Sequence, residues 1–287
     1  MLARAGGVGY IHEPLNPQLG VEGVDRWFPY LRPGQAHETR YLRIVQGILS
    51  GTAAWKPRDG GGPSPSRRLA RALLGSGDRL RWLFSTRWPG YRRLLWKDPF
   101  ACLASEYLHR RLGMEVVMLV RHPAAFACSL ARLDWSLGFG VLRRQPALME
   151  DYLAPLLEGE DVTKMDIMEE AAVFWRCLYT VMADYADRNP DIMVVRHEDL
   201  SEDPEGEFRR LFGRLGLRMT PSILRRIRRQ TSASNRAFAR SGEVHRTSRD
   251  SRALAWAWRN RLEEDRKAMI RRRTEPLVSR FYPEDAW

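Results

Sequence analysis

The chain has 287 residues, 44% of them hydrophobic and 29% charged, with 17 prolines scattered along it; this is enough for one large or two small folded domains and excludes a stapled mini-protein or wholesale disorder. Its 47 Lys and Arg against 35 Asp and Glu leave +12, carried almost wholly by arginine because Lys56, Lys97, Lys164 and Lys267 are the only lysines. Such a charge favours anionic partners: phosphates, sulfates, nucleic acid or acidic lipid. The cysteines Cys102, Cys128 and Cys177 lack metal-ligand spacing and lie in apolar stretches, so small buried hydrophobes in a reduced, cytoplasmic compartment are expected. No apolar run is long enough for a membrane span or a signal peptide.

Along the chain, Gly6, Gly7 and Gly9 match neither common phosphate-loop spacing, and Gly6-Gly7 is expected to close a helical turn before a weak first strand at Val8 to Ile11. A helix at His37 to Leu49, a Gly/Pro-rich loop at Arg58 to Ser66 and a helix at Ser66 to Leu74 follow. Apolar runs at Arg92 to Trp96, Glu115 to Val120 and Asp191 to Val195 predict buried strands of a parallel sheet. The spacing predicts helices over Phe100 to Arg111, Ala124 to Leu133, Ile167 to Arg188 and Glu205 to Leu215, the last opened by Asp203-Pro204 and closed by Gly216. Strands alternating with helices imply right-handed β-α-β units in an α/β fold. No repeat or linker divides the chain, which reads as a single domain over 1–287 with covering helical segments at about 30–87 and 134–168.

Three strand ends carry residues with chemistry. In Val116-Val117-Met118-Leu119-Val120-Arg121-His122-Pro123 a buried strand delivers Arg121 to its C-terminal end, where open α/β sheets bind ligands, and Ser129 follows about two turns into the next helix. Together they could clamp a phosphate; equally, Arg121 could pair with a carboxylate and Ser129 could simply pack. Leu94-Leu95-Trp96-Lys97-Asp98-Pro99 ends a second strand on a rare lysine, and Val194-Val195-Arg196-His197-Glu198-Asp199-Leu200 ends a third. Between Pro221 and Arg252 stand nine arginines against Glu243 and Asp250; of these, Arg225, Arg226, Arg228 and Arg229 read as a basic helix face.

The order and spacing of these segments resemble the sulfotransferase family that uses 3′-phosphoadenosine 5′-phosphosulfate (PAPS) as sulfuryl donor, in its bacterial carbohydrate and natural-product branch. Arg121, Pro123 and Ser129 match that family's R-x-P-x-x-x-x-x-S element position for position; His197 stands where its Y-E-D-L element has tyrosine, and the Asp203-Pro204 helix and Leu215-Gly216-Leu217 follow as in the family. The resemblance implies a three-layer, P-loop-NTPase-like α/β fold with a parallel sheet, and a PAPS-dependent O-sulfotransferase needing no metal. It implies that Arg121 and Ser129 hold the donor's 3′-phosphate, that a loop with Arg246, Ser248 and Arg249 ahead of Trp256 and Trp258 folds over the nucleotide, and that His197 lies near the adenine. Lys97 would steady the sulfuryl group.

Two departures matter. Where members acting on small phenols carry a K-T-H motif, this chain reads Lys97-Asp98-Pro99, so the lysine is kept without the histidine. Members acting on carbohydrates instead place a glutamate after an early strand, which makes Glu13 the expected base, with His12 and Asp98 in reserve. The family's N-terminal strand and P-K-S-G-T-T loop for the 5′-phosphosulfate are not found, and Met1 to Ala5 reads as the tail of the helix after that loop, with a natural start expected upstream. The acceptor expected is a hydroxyl of a carbohydrate, glycolipid or other natural product; adenosine 3′,5′-bisphosphate would be the product. The competing readings are a truncated, non-catalytic nucleotide binder; a P-loop kinase, for which the Walker lysine and a clear Mg²⁺-binding Asp are missing; and a nucleic-acid binder, for which no motif is visible.

Overall fold

The computed structural model describes residues 1–56, 77–232 and 250–287; the expected loop at Arg58 to Ser66 and helix at Ser66 to Leu74 lie outside them. The chain forms two compact units, Met1–Tyr107 and Leu108–Trp287.

In the first unit, β1 (Val8–His12) follows a turn that ends on Gly7 at φ +77°, a left-handed conformation that glycine adopts without steric cost. Helix α1 (Glu38–Ser50) buries Tyr41, Ile44, Val45 and Ile48, one stripe at helical spacing, and ends on left-handed Gly51. Helix α2 (Gly77–Arg87) lies against β1. From it Ser85 Oγ accepts the Tyr10 N–H at 2.8 Å and donates to the Tyr10 carbonyl at 3.3 Å, so a helix side chain satisfies backbone groups in the middle of the strand. This approach is possible because residue 9 is glycine: a Cβ there would stand 2.6 Å from Ser85 Cβ.

Strand β2 (Arg93–Lys97) runs parallel to β1, in register from Val8 opposite Arg93 to His12 opposite Lys97. After it comes a 3-10 turn, Pro99–Ala104, and then α3 (Ser105–Leu112), where a single helix from Phe100 was expected. The tighter turn has a local cause: Asp98 caps it through the Phe100 N–H, Pro99 sits at its first position, and Ser105 Oγ returns a hydrogen bond to the Cys102 carbonyl.

In the second unit, β3 (Val117–Val120) leads into α4 (Pro123–Leu133). Helix α5 (Ile167–Arg188) is opened by a reciprocal capping box between Asp166 and Glu169. Its Ala171 and Ala172 share a core with Ala124, Ala125 and Ala127 of α4, and small side chains there let the two helix backbones come close. Strand β4 (Met193–Arg196) pairs in parallel with β3, Val117 opposite Met193 through Val120 opposite Arg196. Helices α6 (His197–Glu202), α7 (Pro204–Arg214), α8 (Pro221–Thr231) and α9 (Glu264–Thr274) follow. On α8, Ile223 and Ile227 are buried while Arg225, Arg228 and Arg229 are exposed, and Arg228 pairs with Glu205 at 2.7 Å.

The α/β class and the parallel pairing are as expected. The four strands, expected in one sheet, are hydrogen-bonded as two parallel pairs, one in each unit. No helix among the described residues is long and apolar enough to cross a membrane.

Candidate active site

The C-terminal ends of β1 and β2 bring together Glu13 and Lys97. Because His12 lies opposite Lys97, the next residue emerges beside the lysine: the Glu13 N–H donates to the Lys97 carbonyl at 2.8 Å, and Lys97 Nζ donates to Glu13 Oε1. Glu13 has φ +46°, a left-handed conformation unusual for a residue with a side chain. Its carboxylate is partly covered, with 23% of the side chain exposed. His12 Nε2 stands 3.9 Å from Glu13 Oε1, and His12 Nδ1 contacts the Tyr10 hydroxyl at 3.2 Å.

Asp98 is turned to another task. Its Oδ2 accepts the Leu15 N–H at 2.7 Å and Trp96 Nε1–H at 3.2 Å, while Oδ1 accepts the Phe100 N–H at 2.9 Å. These three donors tie the loop after β1 to the turn after β2. Burial pushes the Asp98 carboxyl up to about 6, an effect the donors only partly offset.

The ends of β3 and β4 present a second constellation. Val120 pairs with Arg196, so Arg121 and His197 are the next residues along two adjacent strands. The Arg121 backbone is held from α5, where Trp175 Nε1 donates to its carbonyl at 2.8 Å and the Tyr179 hydroxyl donates to the Leu119 carbonyl at 3.2 Å. Arg121 Nε is sealed from solvent without a hydrogen-bond partner among the described residues, and so is His197 Nδ1. Burial lowers the Arg121 pKa, with the charge of Glu198 opposing. His197 is pushed down to about 4, first by burial and then by the Arg121 charge, so its ring is neutral at pH 7. Ser129 is half-buried on α4.

Behind Arg121 lies a set of residues whose roles were not legible beforehand. The His122 ring is fully buried, stacked on Trp258 with ring centres 4.5 Å apart and flanked edgewise by Tyr282 at 4.8 Å and Trp287 at 4.6 Å. His122 Nδ1 caps α4 by accepting the Ala124 N–H, and burial together with the Arg259 charge pushes its pKa down to about 3. Glu198, 1% exposed, accepts the His122 N–H at 3.1 Å and the Tyr282 hydroxyl at 2.6 Å. Glu198 had a signal, since it follows His197 at a strand end; Tyr282 had none near it in sequence.

The structure therefore joins Glu13 to Lys97, and sets Arg121 beside His197. Arg246, Ser248 and Arg249 lie outside the described residues. A buried guanidinium nitrogen and a buried neutral imidazole nitrogen, both lacking hydrogen-bond partners among the described residues although His197 Nδ1 lies 4.0 Å from Glu198 Oε1, suit an anionic ligand bearing further hydrogen-bonding groups, as a nucleotide phosphate does.

The profile of the sulfotransferase domain family matches residues 102–281. Solved structures similar to this chain include the sulfotransferase domain from the Synechococcus PCC 7002 olefin synthase, at 14% identity and a TM-score of 0.40 over 92% of this chain and 93% of that one. They also include the sulfotransferase domain from the curacin biosynthetic pathway, at 13% identity and a TM-score of 0.40 over 93% of this chain and 97% of that one. No curated protein sequence matches. With the family profile spanning well over half of the chain, and Arg121, Ser129 and His197 inside the matched region, this protein belongs to the sulfotransferase domain family.

Proposed function

We propose that this protein transfers a sulfuryl group from PAPS to a hydroxyl of a carbohydrate, glycolipid or other natural-product acceptor. The observation that carries the donor assignment is the Arg121 guanidinium, placed at a strand end with a buried Nε that has no partner among the described residues. A partly exposed guanidinium whose inner nitrogen is sealed and unpaired among the described residues favours an anion as its partner. PAPS, when bound, supplies a sulfuryl group on a stable phosphate leaving group.

The chain's own residues have separate tasks. Arg121 and Ser129 bind the 3′-phosphate, and neutral His197 offers a ring edge to the nucleoside. Glu13 accepts the proton of the acceptor hydroxyl, and Lys97, whose ammonium contacts Glu13, steadies negative charge on transferring oxygens. Asp98 fixes the two loops that carry this pair. Arg246, Ser248 and Arg249 are assigned to the nucleotide on the family resemblance, and the reaction as written calls for no metal. The free thiols Cys102 and Cys177, both pushed up to about 12 by burial, act as packing groups and accord with the cytoplasm as the site of action.

The test is a thermal-shift series with adenosine 3′,5′-bisphosphate, adenosine 5′-phosphate, ATP and duplex DNA. Stabilisation by the bisphosphate above the other three supports the donor assignment. Equal stabilisation by adenosine 5′-phosphate removes the 3′-phosphate site, and stabilisation by DNA or ATP alone replaces the proposal with one of the competing readings.

A further inference from the structure

Two arginines stand at the paired ends of β3 and β4, and they are treated differently. Arg196 is neutralised by Asp199, with Nε 2.8 Å from Oδ2, and its Nη1 donates to the Phe281 carbonyl at 3.2 Å. Arg121 forms no ion pair with a described residue, although the buried carboxylate of Glu198 is close enough to act on its charge. A buried carboxylate that acts on the charge of a guanidinium with a sealed Nε tends to close into a salt bridge, because both groups are otherwise poorly solvated. Here both oxygens of Glu198 are already engaged: the His122 N–H holds Oε1 and the Tyr282 hydroxyl holds Oε2. Tyr282 is 1% exposed, and its ring is fixed against the His122 ring and under the Arg196 guanidinium, so its hydroxyl cannot swing away.

The geometry points to Tyr282 as a positioning residue that keeps Arg121 open for an anion by restraining Glu198. This rests on the assignment of Arg121 to the donor's 3′-phosphate. Without the hydroxyl, Glu198 Oε2 loses its donor inside a buried site, and pairing with Arg121 becomes its best compensation. Glu198 then competes with the phosphate for one guanidinium.

Tyr282→Phe keeps the ring and removes only the hydroxyl. Calorimetry with adenosine 3′,5′-bisphosphate should show affinity reduced about tenfold. Adding Glu198→Gln, which abolishes the competing charge, should restore it to near the wild-type value. Glu198→Gln alone should bind at least as tightly as wild type. A purely structural role for Tyr282 gives a different pattern, in which the double variant is no better than Tyr282→Phe. Unchanged affinity in Tyr282→Phe, absence of rescue, or a tenfold loss in Glu198→Gln alone each overturns the inference. Should Tyr282→Phe not fold, the Glu198→Gln result decides. If wild type itself does not bind the bisphosphate, the donor assignment is what has failed; the restraint is then read from a crystal structure of Tyr282→Phe, where an Arg121–Glu198 separation under about 4 Å supports it and an unmoved guanidinium refutes it.

Discussion

Lys97 and Glu13 hold each other twice where β1 and β2 end, once through the backbone, with the Glu13 N–H on the Lys97 carbonyl, and once through the side chains, with the ammonium on the carboxylate. The first bond continues the parallel ladder past the last strand residue. The second places a carboxylate and an ammonium in contact at the ends of the pair.

If Glu13 accepts the acceptor's proton, Glu13→Gln should lower turnover by about a hundredfold or more. Affinity for adenosine 3′,5′-bisphosphate should stay at the wild-type value, because the donor's phosphate is assigned elsewhere. Steady-state sulfate transfer and calorimetry on the same preparation check both halves. Near-normal turnover in the variant would move the base to His12.

At the other strand pair, Arg121→Ala should weaken bisphosphate binding by about 2–3 kcal/mol, the worth of a charge-assisted contact, and Ser129→Ala by about 1 kcal/mol. Titration calorimetry reads both. Intact affinity in a folded Arg121→Ala protein would end the 3′-phosphate assignment.

Asp98 gives a pH dependence of a definite sign. Burial raises its carboxyl to about 6 from an ordinary 3.8, so between these values the folded protein binds a proton that the unfolded chain does not. Its contribution to stability is therefore largest below about pH 4 and diminishes as pH rises towards 6 and above. A carbon-13 titration of this carboxyl should show a midpoint near 6, and a midpoint near 4 would contradict it. Denaturant unfolding of wild type against Asp98→Asn should show the wild type gaining relative stability as pH is lowered from 7 to 5.

Gly9 sits where α2 meets β1. Gly9→Ala forces a methyl to within 2.6 Å of Ser85 Cβ and 2.9 Å of the Ser85 carbonyl oxygen, so helix and strand must separate. A loss of about 1–3 kcal/mol is expected from chemical denaturation. A loss below about 0.5 kcal/mol would mean that α2 is free to shift outward.

Much of this was legible in local sequence. The helix at Ile167–Arg188 begins and ends where it was expected, and the strands begin or end within a residue or two of their apolar runs. Glu13 and Lys97 could be nominated separately because each follows a short strand. Their contact depends on the register of β1 against β2, which is a property of pairing and not of either segment. The same limit applies more severely to Tyr282 and Glu198, which are 84 positions apart. No periodicity relates them, and only the fold shows that one hydroxyl occupies one carboxylate oxygen. His122 was visible merely as the residue before Pro123; its enclosure by Trp258 and Trp287 comes from chain more than a hundred residues away.

The left-handed backbone of Glu13 implies a trade between robustness and reactivity. At φ +46° a glycine would be at ease, whereas a side chain strains the backbone by about 1–3 kcal/mol. Glu13→Gly relieves that strain and Glu13→Ala does not, while both delete the carboxylate. The glycine variant should therefore unfold later than the alanine variant, by about 1 kcal/mol after allowing for the looser unfolded chain, with both equally unable to turn over substrate. If Glu13 is the base, the more comfortable residue at this position is the inert one, so selection for thermal stability alone would favour an exchange there that costs turnover.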